Sequence, residues 1–291
     1  MAKFWTTWRL LLILVIGWAL VHTIFISPPR DFEAGKVVTV DKGASLTEIA
    51  KHFAEVGIVR SPTIFKYLIR FAKPNGVAVA GDYIFPKPAN AIAVANRLAR
   101  GQYGIEPIEL IIPEGVTSYD IASLIGKLIP NFDVESFIAL AVPREGYLFP
   151  DTYTFQPTLG PARIVGMMED QFKAKFKTRD SLLETSGRTP EQVVIMASLL
   201  EREARTTESR QMIAGILWKR LDAGMPLQVD AVFPYILGKN TFEVTRKDLA
   251  TSSPYNTYRF RGLPAGPIAN PGLDSLTAAL TPIESDYWFY L

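Results

Sequence analysis

The hydrophobic positions of the chain predict one long apolar helix near the N-terminus, followed by shorter helices and strands. Leu10–Ile26 carries no charged residue and would form about 25 Å of helix, at the short end for crossing a bilayer. A cleaved signal peptide is the alternative, but no small-x-small cleavage site precedes Ser27. We therefore predict that residues 1–30 form a cytoplasmic tip and a single uncleaved membrane anchor, with everything from Arg30 onward outside the cell membrane.

Two later segments share one pattern, a short strand followed by a glycine turn and a helix. In Val38–Ala50 and in Leu110–Ala122, a hydroxyl residue is followed three positions later by an acid, which is the spacing of a capping box. The first segment continues through a helix around Pro62–Phe71 to a return strand over Ala80–Phe85. This module resembles the small glycan-binding LysM type, which we expect over residues 31–104, although an ordinary strand–turn–helix connection with no shared role would give the same pattern.

The most apolar helix of the remaining chain is predicted to begin after Thr189. Val193–Leu200 contains one polar residue, and a helix that is apolar all round is usually buried. Glu201 follows directly, and Glu203 points about 200° away around the helix, so the two carboxylates cannot share one environment. A partly desolvated carboxyl has a raised pKa and suits a general acid. The alternative is that both glutamates are solvated and paired with neighbouring arginines.

Three other segments combine polar side chains with little regular structure. Glu145–Tyr153 places aromatic residues around a proline turn, which suits a loop that stacks on a sugar face and equally an ordinary packed loop. Met225–Asp230 is predicted to be extended, with Gln228 and Asp230 on one face. Tyr255–Gly272 is rich in proline and glycine but offers amide and phenol groups. Binding residues concentrate in long loops of this kind.

Composition narrows the chemistry that the chain can perform. It has 31 basic and 29 acidic residues and a net charge of +2, so nothing suggests nucleic-acid binding. There is no cysteine, which rules out disulfides and thiolate catalysis, and only His22 and His52 offer imidazole. We therefore expect no metal and no cofactor. Any reaction must rest on carboxylates, amides, hydroxyls and basic side chains.

Several motifs follow one another in a fixed order. They are Glu145–Tyr153, Ala197–Glu203, Ala214–Ile216, Arg220–Leu221, Gly224–Asp230, Ser253–Tyr258, Gly262–Ile268, Asn270–Gly272 and Ala278–Pro282. Together they resemble the endolytic murein transglycosylase family, the MltG or YceG-like group, from the anchor to the C-terminus.

The resemblance implies an α+β protein of the inner membrane, crossing it once with its N-terminus in the cytoplasm. A LysM-like module would precede a mixed α+β catalytic domain over residues 105–291. Because family members usually continue for some tens of residues past this point, we expect the domain to be truncated at its C-terminus. The final residues, Tyr287–Leu291, are predicted to form a buried strand.

The resemblance also implies a reaction. Family members are lyases that cleave the β-1,4 bond between N-acetylmuramic acid (MurNAc) and N-acetylglucosamine (GlcNAc) within nascent peptidoglycan strands, and they leave a 1,6-anhydro end. We assign the catalytic glutamate of their Ala-Ser-x-x-Glu-x-Glu motif to Glu201, with Glu203 as the second choice. One carboxyl can act as acid and then as base, because the muramic C6 hydroxyl replaces water. Asp230 could instead supply the second acid of a hydrolase.

Ten residues are candidates for binding the substrate. They are Glu145, Tyr147, Asp151, Ser198, Glu203, Gln228, Asp230, Tyr255, Asn256 and Tyr258. The expected partners are peptidoglycan strands and peptidoglycan synthases at the membrane. The rival hypothesis is a non-catalytic, membrane-tethered peptidoglycan-binding or scaffold protein of the cell-wall synthesis machinery.

Overall fold

The computed structural model describes residues 12–20, 22–72, 78–239 and 243–290, and the chain folds as two compact units. The first unit runs to Ile108 and includes Gln156–Thr158, and the second takes the rest. Both helices and strands are present, so the predicted mixed α+β class is confirmed. The predicted domain boundaries stay a prediction.

The N-terminal segment is helical where it is described. Residues 12–20 form a helix, and the π-helical turn His22–Ile26 follows. Positions 10, 11 and 21 of the predicted Leu10–Ile26 span lie outside the described residues. Within the described part of the chain, no helix combines the length and the apolar content needed to cross a membrane. The membrane anchor therefore stays a prediction.

The first unit is built on a two-stranded antiparallel sheet. Its elements are β1 (Val37–Val40), α1 (Leu46–Glu55), α2 (Pro62–Ala72), β2 (Gly81–Ile84) and α3 (Ala91–Arg100). In the sheet, Val38 lies opposite Tyr83. Ser45 caps α1 through the predicted capping box with Glu48. The predicted strand–helix–helix–strand order is observed, while the likeness to a LysM module stays a prediction.

The second unit is mostly helical. Its elements are β3 (Ile108–Ile111, whose first residue belongs to the first unit), α4 (Ser118–Leu128), α5 (Val134–Ala141), β4 (Thr152–Phe155), α6 (Pro161–Lys177), α7 (Asp180–Ser186), α8 (Pro190–Glu203), α9 (Thr207–Asp222), α10 (Val232–Leu237) and α11 (Leu273–Leu280). β3 and β4 form a second two-stranded sheet. The sequence analysis did not predict α7 and α10, because both are too short to show a helical hydrophobic period.

Helix α8 forms the centre of the second unit. Every residue of Val193–Leu200 is buried, as predicted, and α8 packs against α9 and α11. A capping box is present at the start of α8, since the N–H of Gln192 donates to Thr189 Oγ1 at 3.2 Å and the N–H of Thr189 donates to Gln192 Oε1 at 2.9 Å. Packing on all sides fixes the rotation of α8 about its axis. The directions of Glu201 and Glu203 are fixed with it.

The prediction of a buried strand at the C-terminus is wrong for its described residues. Residues 287–290 form no strand, and the side chains of Tyr287 and Phe289 are 66% and 67% exposed. The ring of Phe289 instead lies 4.5 Å from the guanidinium carbon of Arg220, a cation–π contact. Leu291 lies outside the described residues.

A close backbone contact between α9 and the segment that follows α11 yields a stability prediction. The carbonyl of Ile283 approaches Gly215 so closely that a Cβ there would collide with it, whereas a Cβ at Gly166 in α6 would meet no atom within 4 Å. We expect Gly215→Ala to lower the free energy of unfolding by about 1–3 kcal/mol, because a backbone oxygen cannot move aside as a side chain can. Denaturant unfolding of the full chain measures it.

The matched control is Gly166→Ala. It should raise the free energy of unfolding by about 0.5–1 kcal/mol, since alanine is the better helix former and the space is open. Equal effects of the two substitutions would contradict the close approach at Gly215.

Candidate active site

The two glutamates at the C-terminal end of α8 lie in different surroundings. The side chain of Glu201 is only 4% exposed. Its Oε1 accepts a hydrogen bond from Arg210 Nη2 at 2.7 Å, and its Oε2 accepts one from the N–H of Gly272 at 2.8 Å. Arg210 also donates to Asp274 at 2.6 Å. Both oxygens of Glu201 are therefore engaged in contacts that join α8, α9 and the start of α11.

A third carboxylate lies beside this ion pair. Glu114 is so close to Gly272 that a Cβ on that glycine would collide with its carboxylate. Burial raises the pKa of Glu114, the negative charge of Glu201 raises it further, and Arg210 opposes both effects. The Glu201 side of α8 is therefore a charge-paired junction in the fold.

Glu203 lies in a polar pocket of about 360 Å³. The pocket is also lined by Arg220, Gln228, Asp230, Tyr258, Phe289 and Tyr290. Glu203 Oε1 accepts a hydrogen bond from the N–H of Ala231 at 3.2 Å. Burial raises the pKa of Glu203 and the nearby charge of Asp230 adds to the rise, while hydrogen bonds from Ala231 and Tyr290 oppose it. A half-buried carboxyl with a raised pKa, facing a pocket, has the properties of a general acid.

The pocket side chains are held by the chain that precedes α10. Gln228 has a left-handed backbone with φ +54, a conformation that is uncommon for any residue except glycine. Its N–H donates to the carbonyl of Thr257 at 3.1 Å, and the N–H of Val229 donates to Thr257 Oγ1 at 2.9 Å. The segment is not a strand, but Gln228 and Asp230 line one pocket, as predicted. The hydroxyl of Tyr258 donates to Asp230.

Two predicted binding residues are instead fully buried in the fold. Asn256 is 0% exposed, and its Nδ2 donates to the carbonyls of Leu249 at 3.0 Å and Thr251 at 2.8 Å. Ser198 is also 0% exposed, and its Oγ accepts a hydrogen bond from the N–H of Ile268 at 3.1 Å. Both side chains hold loops in place. Their predicted role in substrate binding stays a prediction.

Tyr147, Asp151 and Tyr255 also do not line the Glu203 pocket. The ring of Tyr147 packs edge-on against Phe172, with centroids 5.1 Å apart, and Asp151 accepts a hydrogen bond from Gln171 at 2.7 Å. The ring of Tyr255 lies 5.1 Å from that of a tyrosine in α10. The contact of Tyr147 matches the alternative interpretation of Glu145–Tyr153 as an ordinary packed loop.

Glu145 and Asn270 form a buried junction. Glu145 is 5% exposed, and its two oxygens accept hydrogen bonds from the N–H of Ser118 at 3.1 and 3.0 Å. Asn270 donates from Nδ2 to Glu145 at 2.8 Å, and its Oδ1 accepts from the N–H groups of Gly146 and Leu148. Burial raises the pKa of Glu145 to about 7 against the effect of these hydrogen bonds. Glu145 thus ties the start of α4 to two loops.

The sequence analysis missed Arg210 and Arg220, which are 9% and 3% exposed. Arg220 lines the Glu203 pocket and donates from Nη1 to the carbonyl of Leu227 at 2.7 Å. The burial of Arg220 could have been predicted from the sequence. Arg220 follows the buried residues Ile213 and Leu217 of α9 by seven and three positions, so it lies on their buried face. A cation on such a face needs a polar partner in the interior.

Taken together, these observations describe an α+β protein with a polar pocket that contains a carboxyl of raised pKa. The sequence profile of the YceG-like family matches residues 38–291. The chain therefore belongs to the YceG-like family, which confirms the resemblance found in the sequence.

Several known proteins are similar to this chain. The endolytic murein transglycosylase of Bacillus subtilis (strain 168) is 31% identical over 96% of this chain and 85% of its own length. That of Streptococcus pneumoniae serotype 2 is 28% identical over 90% of this chain, which spans 55% of the pneumococcal protein. The crystal structure of a yceG-like protein from Listeria monocytogenes has a TM-score of 0.59 at 29% identity, over 88% of this chain and 93% of that one.

The buried Glu145 junction yields a prediction about pH. Its pKa of about 7 in the folded state lies above the ordinary value of 4.5, so the folded chain binds this proton more tightly than the unfolded chain. Stability should therefore fall as the pH rises from about 4.5 to about 7, by up to about 3 kcal/mol. Glu145→Gln should remove this slope, measured as the free energy of unfolding against pH.

The control is Glu135→Gln, at an exposed position of α5. It should leave the wild-type slope unchanged. If Glu145→Gln also leaves it unchanged, burial of Glu145 does not control the pH dependence.

Proposed function

We propose that this chain is a membrane-anchored endolytic lytic transglycosylase. It cleaves the MurNAc-β-1,4-GlcNAc bond within nascent peptidoglycan strands and leaves 1,6-anhydroMurNAc ends. Membership of the YceG-like family and similarity to two endolytic murein transglycosylases support the enzyme class. The observation that carries the proposal is that Glu203, with its raised pKa, shares one pocket with Gln228, Asp230 and Tyr258.

Glu203 is a better candidate for the acid than Glu201. A general acid must reach the glycosidic oxygen, so its carboxyl must face a pocket that a sugar can enter. Both oxygens of Glu201 are engaged, one by Arg210 and one by the N–H of Gly272. Glu203 instead lines a pocket and accepts from the N–H of Ala231 through Oε1. We therefore assign the acid to Glu203, the second choice from the sequence, and a positioning role to Glu201.

The reaction proceeds in two proton transfers through one carboxyl group. Protonated Glu203 donates its proton to O4 of the departing GlcNAc as the bond from C1 of MurNAc to O4 breaks. The resulting Glu203 carboxylate then takes the proton of the muramic C6 hydroxyl as O6 bonds to C1. Each transfer contributes about 10²–10⁴-fold in rate. No water is consumed, and Glu203 ends protonated and ready for the next bond.

The other pocket residues support this sequence of steps. The oxocarbenium-like transition state carries positive charge, which the carboxylate of Asp230 stabilises when its oxygen is held by Tyr258. The amide of Gln228 offers a donor and an acceptor for an N-acetyl group. Asp230 also favours a second candidate function, because a carboxylate in the pocket could activate water and make the enzyme a hydrolase.

The enzyme acts on the extracytoplasmic side of the inner membrane. The charge-free Leu10–Ile26 stretch anchors the chain in the inner membrane with its N-terminus in the cytoplasm. The first unit is a LysM-like module that holds glycan strands, and the pocket faces the extracytoplasmic side. Peptidoglycan synthases at the membrane supply the nascent strands.

Substitution of the two glutamates tests the assignment. We expect Glu203→Gln to lower the cleavage rate of purified glycan strands by at least about 10²-fold while the melting temperature stays near that of wild type, because glutamine mimics the protonated side chain. Glu201→Gln should mainly lower stability, by about 1–3 kcal/mol, because it removes one of the two carboxylates that pair with the buried Arg210. Cleavage assays and thermal unfolding of both variants provide the measurements.

The reverse pattern would return the acid to Glu201. That pattern is a Glu203→Gln variant that cuts at the wild-type rate together with a folded Glu201→Gln variant that does not cut. Glu191→Gln, an exposed position in the first turn of α8, serves as the control and should change neither rate nor stability.

Mass spectrometry of the digested glycan tests the reaction itself. We expect fragments with 1,6-anhydroMurNAc ends, because C6 oxygen replaces water as the nucleophile. Reducing MurNAc ends would show a hydrolase that uses Asp230. Binding to sacculi without any soluble product would indicate the non-catalytic scaffold, and this result would reject the enzyme.

A further inference from the structure

A second and larger pocket adjoins the site of Glu203. It has a volume of about 770 Å³, and its lining includes Tyr119, Arg202, Ala231, Tyr235 and Lys239. Ala231 belongs to both regions, because it lines the larger pocket and its N–H donates to Glu203 at 3.2 Å. The two pockets therefore lie next to each other, with Ala231 between them.

Arg202 is a cation of this pocket whose side chain has unused hydrogen-bond donors. Among the described residues, its side chain makes one hydrogen bond, from Nη1 to the carbonyl of Gly115 at 3.2 Å, and it forms no ion pair. A guanidinium has five N–H donors in a planar fork, so four remain for a ligand. This fork matches the two oxygens of a carboxylate.

The other charged groups of the pocket already make hydrogen bonds. Lys239 contacts the carboxylate of Asp248 at 3.0 Å. Asp120 accepts hydrogen bonds from the N–H and the hydroxyl of Thr117 in the capping box of α4, at 2.9 and 2.8 Å. Among the described lining residues, Arg202 is therefore the cation that forms no ion pair, while Asp120 keeps its negative charge.

Two tyrosines complete the chemical character of the pocket. Tyr119 is 55% exposed, and Tyr235 is half-buried with its ring held 5.1 Å from that of Tyr255. Tyrosines offer flat apolar contact together with a hydroxyl that can bond to an amide. A peptide that carries carboxylates fits a pocket with two tyrosines and one guanidinium that has four unused donors.

We propose that this second pocket binds the carboxylate-bearing stem peptide of the MurNAc residue whose bond is cut, with Arg202 as the residue that recognises the carboxylate. This inference rests on the proposed function. The stem peptide is attached through the lactyl group at C3 of MurNAc, the same sugar whose C1 must lie beside Glu203. The enzyme therefore acts preferentially on strands whose stem peptides are intact.

The test compares two substrates that differ only in the peptide. Uncrosslinked glycan strands are used as prepared, or after an amidase has removed their stem peptides. For wild type we expect kcat/KM to be about tenfold higher on the intact strands, which is the contribution of one charge-assisted hydrogen-bonded pair. Arg202→Gln should lower kcat/KM about tenfold on intact strands and less than twofold on stripped strands. Arg202→Lys keeps the charge without the fork and should fall in between.

The matched control is Arg205→Gln, which removes the same charge at an exposed position outside the pocket. It should alter neither kcat/KM value. An equal loss on both substrates with Arg202→Gln would overturn the proposal, because Arg202 would then act on the sugar, on a phosphate at the strand end or on the fold. No loss on either substrate would overturn it as well.

A binding measurement separates this proposal from the proposed function. In the Glu203→Gln background, titration calorimetry should show that intact strands bind about tenfold more tightly than stripped strands, and that adding Arg202→Gln abolishes the difference. If wild type cuts neither substrate, the proposed activity fails while this binding result still decides the role of Arg202. Equal affinity for both strands would reject the stem-peptide pocket.

Discussion

The burial of α8 on every side is the constraint on which the rest of the second unit depends. A helix with one apolar stripe can roll about its axis, but the fully buried Val193–Leu200 segment cannot. Its last turn therefore delivers each side chain in a fixed direction. Because successive residues differ by about 100° around a helix, Glu201, Arg202 and Glu203 meet three different environments. Glu201 lies in a charge-paired junction, Arg202 lines a wide pocket and Glu203 lines a small polar pocket.

The junction at Glu201 explains why a carboxylate is retained in the interior. Charges that leave water are costly, and an ion pair offsets this cost only when its geometry is good and its remaining atoms are bonded. Glu201 meets both conditions through Arg210 and the N–H of Gly272. In return it joins the end of α8 to the start of α11. Glu203, two residues further along α8, then keeps its direction towards the polar pocket while its own burial raises its pKa.

Local features were predictable from the sequence, whereas features set by distant residues were not. The capping box of α8 and the burial of Val193–Leu200 depend on neighbours in the sequence, and both are observed. The sequence also showed that Glu201 and Glu203 diverge. It could not show which of them faces a ligand, because that depends on Arg210 and Gly272, the latter 71 positions from Glu201. The burial of Asn256 could not be predicted for the same reason, since its amide donates to loop carbonyls that no sequence pattern reveals.

The backbone of Gln228 links the fold to the proposed chemistry. A left-handed non-glycine residue costs roughly 1 kcal/mol or more and persists only where its surroundings enforce it. Here Thr257 enforces it, by accepting from Gln228 and donating to and accepting from Val229. The turn buries Leu227 and Val229, while Gln228 and Asp230 line the pocket. Glu203 lines the same pocket from the end of α8. The proposed acid and the groups that would hold the sugar are thus placed by two different parts of the chain, which the hydrogen bond from Ala231 to Glu203 joins. Such preorganisation is what an acid needs if it is to act twice on the same sugar within one turnover.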